Sequence, residues 1–116
     1  MKIGVLNGGN SEEREVSLNS GSAIISACKE LGHDVISIDP INGIDSLMND
    51  LKKLDLVFNG LHGGDGENGV IQGLLQSIGV RFTGSSNEAS AICMDKRLSK
   101  SLVKQKKILT PEWISL

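Results

Sequence analysis

The stretch Asn59-Gly60-Leu61-His62-Gly63-Gly64-Asp65-Gly66-Glu67-Asn68-Gly69 limits the folds open to this chain more than any other. A run so dense in glycine cannot continue a regular element, and it holds one of the two histidines. Before it, Leu54-Asp55-Leu56-Val57-Phe58 reads as a short buried strand. After it, Val70, Ile71, Leu74, Leu75 and Ile78 recur at helical spacing on one face. A loop at the carboxyl end of a strand and the amino end of a helix is where open α/β sheets hold ligands, and where free backbone N–H groups attract anions.

The rest of the chain repeats that alternation. Residues 2–6 form a first predicted strand, a Gly8-Gly9-Asn10-Ser11 turn follows, and Val16, Ser20, Ala23, Ile24, Ala27 and Leu31 mark the inner face of a helix stopped by Gly32. Residues 34–39 read as a second strand, 40–43 as a turn, and 44–53 as a short helix built on Ile44, Leu47, Met48 and Leu51. After the central glycine loop and its helix comes a brief strand over 80–83. Alternating strands and helices with short links predict an α/β fold: a Rossmann-like open parallel sheet with helices on both faces and right-handed crossovers. Beyond Gly84 the pattern turns helical. Ser85-Ser86-Asn87-Glu88 supplies capping groups ahead of Ala89, Ile92 and Cys93, and a cationic helix then sets Leu98, Leu102 and Val103 inward and Arg97, Lys100, Lys104, Lys106 and Lys107 outward. Residues 110–116 read as an extended segment beginning a new element.

Length and composition narrow the function. A chain of 116 residues suits one compact unit. A net charge of −2 and only 3% aromatic residues argue against nucleic-acid and anionic-membrane partners, because both phosphate neutralisation and base stacking lack their side chains. No apolar run has the length of a signal peptide or a membrane span, so the cytoplasm is the expected compartment. Cys28 and Cys93 lack a CxxC partner and are expected to be buried free thiols. Neither His33 nor His62 has a second ligand at metal-site spacing, so no metal site is expected.

Three stretches could carry chemistry. In Gly8-Gly9-Asn10-Ser11-Glu12-Glu13-Arg14-Glu15-Val16-Ser17, the glycines admit a ligand close to the backbone. On spacing alone, Glu12, Glu13 and Glu15 complement a helix dipole; the alternative is that one carboxylate holds a substrate ammonium group. Gly64-Asp65-Gly66-Glu67-Asn68-Gly69 matches G-x-G-x-x-G, but it follows the third strand, lacks a ribose-holding acid about 20 residues on, and sets two acidic side chains where a pyrophosphate would sit. His62 at its head has either a structural hydrogen-bonding role or a donor role toward a carboxyl or phosphoryl oxygen as charge develops. In Met94-Asp95-Lys96, spacing alone makes Lys96 a surface lysine.

Taken together and in order, Gly8–Gly21, Leu61 to Gly73, Phe82-Thr83-Gly84-Ser85 and Ser90-Ala91-Ile92-Cys93-Met94-Asp95-Lys96 resemble D-alanine:D-alanine ligases over almost the whole chain. The resemblance implies a Rossmann-like domain that precedes an ATP-grasp portion, with residues 1–94 as the substrate domain and 95–116 leading into ATP-grasp. It implies a cytoplasmic, homodimeric enzyme of peptidoglycan synthesis that uses ATP and Mg²⁺ or Mn²⁺. ATP phosphorylates the carboxylate of one D-alanine, and the amine of a second attacks the acyl phosphate. By position, Glu13 corresponds to the acid that holds the first D-alanine's ammonium and orients Ser17. His62 corresponds to the histidine beside the reacting carboxyl, with Gly63 next to it, Val16 and Ser17 to residues lining the first D-alanine site, and Lys96 to a lysine on the ATP phosphates. Two positions depart from the pattern: Glu67-Asn68-Gly69 replaces Glu-Asp-Gly, and Phe82-Thr83-Gly84 replaces Tyr-Thr-Gly, although Asn68 can still cap a helix. The resemblance covers roughly the first third of such an enzyme, so this polypeptide alone is expected to bind neither ATP nor metal stably and to be catalytically silent. A free-standing Rossmann-like nucleotide- or ligand-binding module is the alternative.

Overall fold

A computed structural model describes residues 1–114. Three parallel strands, β1 (Lys2–Leu6), β2 (Asp34–Ile38) and β3 (Leu56–Asn59), lie in the order β2-β1-β3, with Lys2 opposite Asp34 and Ile3 opposite Leu56. Helix α1 (Arg14–Glu30) makes the first crossover; a 3₁₀ turn at Asp45–Leu47 running into α2 (Met48–Leu51) makes the second. Then come α3 (Val70–Ser77), α4 (Asn87–Met94) and α5 (Lys96–Gln105).

Strand pleating sends alternate residues to opposite faces, and the two faces are filled differently. Leu6, Ile38 and Val57 meet Leu51, Leu54, Ile71, Leu75 and Val80 in one apolar cluster beneath α2 and α3. At about 1.5–3 kcal/mol per fully buried aliphatic side chain, this face carries most of the hydrophobic stabilisation. On the other face Ile3 and Val5 are buried under α1, whose own buried residues are only Ser17 and Gly21. The expected helices on both faces are present.

That small-residue contact corrects the expected face of α1. Val16 and Leu31 stand out in solvent, at 51% and 75% exposure, because α1 lies too close to the sheet for a bulky side chain at its centre. A Cβ at Gly21 would lie 2.4 Å from Asn7 Cβ. Gly32 does end the helix, at φ +80° and with its N–H on the Lys29 carbonyl. Helix α3 keeps its expected face, with Ile71 and Leu75 buried and Leu74 and Ile78 packed on the core, except in its first turn: Val70 is exposed and Gln72 is buried, its amide donating to the Gly66 carbonyl at 2.7 Å.

The third strand sits two residues later at its start than the apolar run indicates, and Leu54 instead packs the core as the turn after α2. The expected fourth strand shrinks to one parallel bridge between Phe82 and Val57. It stops there because the next β3 amide, Asn59 N–H, bonds to the Thr83 hydroxyl at 3.0 Å rather than to a backbone carbonyl. Phe82, despite lacking the tyrosine hydroxyl, packs on the core.

Ser86 and Asp95 cap α4 and α5, accepting from Ala89 N–H at 3.3 Å and Leu98 N–H at 3.0 Å. The faces expected to point inward on these helices do so only in part, at the half-buried Ile92 and Val103. Ala89, Cys93, Leu98 and Leu102 are exposed, because α4 packs on α3 and α5 on α4 with nothing described on their far side. Neither thiol is buried: Cys28 is half-buried and Cys93 exposed. The expected extended segment at 110–116 has no regular structure over 110–114, and its last two residues lie outside the described ones. Among the described residues no helix is long and apolar enough to cross a membrane.

Candidate functional site

The loops after β1 and β3 meet at the carboxyl edge of the sheet and enclose a cleft of about 130 Å³. Gly8, Gly9 and Ser11 form one wall, Leu61, His62 and Gly63 the opposite one, and Pro40 and Ile44 close a third side.

Three serines of one chain segment fasten these walls together. Ser17, fully buried at the start of α1, donates to the Gly60 carbonyl at 2.7 Å and accepts from Gly8 N–H at 2.9 Å. Ser11 donates to the His62 carbonyl at 2.6 Å, and Ser20 lies 3.1 Å from His62 Nε2. Ser17 and Ser20 are three apart, so both face the loop from one side of the helix. The Ser17 hydroxyl is thus held by backbone groups of both loops and not by the Glu13 carboxylate.

Glu13 sits exposed at the lead into α1, next to Gly63. At φ +69° Gly63 occupies the left-handed region, and a Cβ there would come within 2.6 Å of Glu13 Oε2. A carboxylate and an imidazole-bearing backbone segment therefore reach the same rim from two different loops. Val16 points away to solvent, and Lys96, exposed at the start of α5, does not line the cleft. Of the expected site residues, His62 and Gly63 line the cleft; Glu13 lies beside Gly63 and Ser17 beneath the loops without lining it, and Val16 and Lys96 lie apart.

One ion pair escaped the sequence reading. Arg14 grips Asp39 with two bonds, Nη2–Oδ2 at 2.7 Å and Nη1–Oδ1 at 3.1 Å, and also donates to the Gly9 carbonyl at 2.8 Å. The hydrogen bond from Arg14, aided by Gly9 N–H and Ile41 N–H, holds the Asp39 carboxyl below the ordinary carboxylate range, while the same bond raises Arg14. A Cβ on Gly8 (φ +81°) would meet both members of this pair at 2.7 Å. The signal available beforehand was an acid just past a strand end at the sheet's carboxyl edge. That is the place where a dinucleotide fold holds a ribose, and here an arginine of the same chain takes it.

The second glycine loop offers no phosphate cradle either. Its N–H groups at 66, 67 and 68 are spent on the Gly63 and Gly64 carbonyls, and the Gly66 carbonyl receives both Asn59 and Gln72 amides at 2.9 and 2.7 Å. Asn68 does not hold the cap position, which is Gly69, but accepts from Val70 N–H at 3.1 Å just ahead of it. Among the described residues no three acidic, thiol or imidazole side chains converge as metal ligands.

A family model described as the D-ala D-ala ligase N-terminus matches residues 41–85. The chain is 49% identical over 115 residues, 99% of its length, to the D-alanine–D-alanine ligase of Magnetococcus marinus. The chain belongs to the D-alanine–D-alanine ligase N-terminal family. It spans 37% of the length of that relative. The fold of this ligase-family domain matches the crystal structure of D-alanine–D-alanine ligase from Bacillus anthracis complexed with ATP, with a TM-score of 0.89 at 38% identity over 98% of this chain and 39% of that one. It also matches the VanG D-Ala:D-Ser ligase from Enterococcus faecalis, with a TM-score of 0.82 at 31% identity over 97% of this chain and 43% of that one.

Proposed function

We propose that this ligase-family domain serves the ATP-dependent joining of two D-alanine molecules for peptidoglycan, in a cytoplasmic and homodimeric enzyme, and that it supplies part of the first D-alanine site. The observation that carries the reading is the Glu13 carboxylate beside Gly63, the residue after the cleft-lining His62, with Oε2 within 2.6 Å of where a Gly63 Cβ would stand. An amino-acid zwitterion needs an anion for its ammonium and a hydrogen-bond donor for its carboxyl, and this rim offers one of each. Glu13 holds the ammonium; His62 donates to a carboxyl oxygen as that oxygen becomes the acyl phosphate. Ser17 acts through the scaffold, by fixing both loops. A D-Ala:D-Ser ligase shares the fold, so the domain serves the amino acid that the two reactions have in common, and the second acceptor is chosen elsewhere.

Residues 1–94 form the substrate domain in this reading, and 95–116 lead into the ATP-grasp portion, with Lys96 meeting the ATP phosphates there. The donor set here does not fit Mg²⁺, and no step by these residues depends on it. Phosphoryl transfer rests on positioning and charge neutralisation by several groups at once, and this chain holds few of them, so alone it is silent.

Phosphate release with ATP, Mg²⁺ and D-alanine tests the reading on this chain and on one extended to the relatives' length. Activity is expected only in the extended chain, and Glu13→Gln there should raise the KM for D-alanine at least tenfold with Tm unchanged. A folded but inert extended chain, or an unaltered KM, would refute it.

A further inference from the structure

We propose that Ser20 is a positioning residue for the His62 ring: its hydroxyl donates to Nε2, which keeps the neutral imidazole in its Nδ1–H form and leaves Nδ1–H as the ring's donor in the cleft. The Ser20 hydroxyl lies 3.1 Å from Nε2, and His62 is that hydroxyl's one hydrogen-bond partner among the described residues. A helical serine commonly spends its proton on the carbonyl four residues back. Here Ser20 does not, so the proton is directed to the ring. A neutral imidazole has one donor and one acceptor nitrogen; if Nε2 accepts, Nδ1 carries the hydrogen. The backbone that carries the ring is fixed beside Ser20, because Ser11 donates to the His62 carbonyl at 2.6 Å and Ser17 to the Gly60 carbonyl at 2.7 Å. Both Ser17 and Ser20 project from α1, so the helix that closes the sheet also sets which edge of the imidazole is protonated.

The tautomer is a property of this chain, while its use in turnover rests on the ligase reading, and two measurements keep these apart. Long-range ¹⁵N–¹H correlation on the histidine-labelled chain at about pH 8 should show His62 with Nδ1 protonated and Nε2 bare. Ser20→Ala should move the population toward the Nε2–H form that imidazole prefers in water, and Ser20→Thr, which keeps the hydroxyl, should restore it. An Nε2–H ring in the unaltered chain, or a ring indifferent to Ser20→Ala, would overturn the proposal. In the extended, active enzyme Ser20→Ala should lower kcat about tenfold, the rate equivalent of one hydrogen bond, with the KM for ATP unchanged and Ser20→Thr recovering the rate. A shifted tautomer with undiminished kcat would remove Ser20 from the reaction. An inert unaltered extended chain would sink the ligase reading and leave the tautomer assignment standing.

Discussion

Gly21→Ala places two well-known effects in opposition at one site. Alanine is the better helix former, by about 1 kcal/mol in a helix interior, so propensity alone predicts a more stable protein. Packing predicts the reverse. The new methyl would sit 2.4 Å from both Asn7 Cβ and Asn7 Nδ2. The Cβ is fixed to the backbone just past β1 and cannot rotate aside, so strand and helix must separate, at about 1–3 kcal/mol for such overpacking. The Asn7 amide must also move, which disturbs the 3.1 Å bond its oxygen accepts from Ser37, worth about 1 kcal/mol. The net loss is about 1–3 kcal/mol, or a fall in Tm of about 4–12 °C for a domain of this size. Thermal melts of Gly21→Ala beside Ser22→Ala, an exposed neighbour on α1 that reports propensity alone, measure the difference. A Tm for Gly21→Ala at or above that of the unaltered chain would refute the claim that closeness of α1 to the sheet dictates its buried face.

Ser17→Ala would leave the buried Gly8 N–H and Gly60 carbonyl without their partner; at about 1–2 kcal/mol for each orphaned group, urea unfolding should lose about 2–4 kcal/mol, and a loss below about 1 kcal/mol would contradict the assigned bonds. Asp39 has a folded pKa below its unfolded value, mainly through Arg14, so its stabilisation is complete above the ordinary carboxylate pKa of about 3.9 and is lost as pH falls through the lower folded value. Asp39→Asn should therefore flatten the acid limb of the stability–pH curve, and an unchanged slope there would show that other carboxylates govern it.

Element order, parallel sheet and loop positions were legible because they depend on periodicity and glycine placement, which a single sequence displays. The buried face of α1, the first turn of α3 and the exposure of the α5 apolar stripe were not. On α1 the decisive factor is the distance between two backbones, which favours Ser17 and Gly21 over Val16. On α3 a hydrogen bond from Gln72 outweighs the burial of Val70. On α5 the apolar pattern was read rightly, but it faces nothing described. At the site, the family resemblance pointed to His62 and Glu13, whereas spacing left both open. Ser11, Ser20 and the Arg14–Asp39 pair were missed because each acts on a residue between 25 and 51 positions away, and single serines carry no periodic signal.

The composition of α1 bears on what keeps it helical. Ser17, Asn19, Ser20, Gly21, Ser22 and Ser26 all lie within its 17 residues. Each costs roughly 0.5–1 kcal/mol against alanine in a helix, so the segment has little tendency to coil by itself. What holds it helical is its seat on β1 and β2 and its bonds to the Gly60 carbonyl and the His62 ring, 43 and 42 positions away. Helix α1 thus owes its structure to the sheet, and whatever loosens that seat loosens the serines that fasten the cleft's two loops.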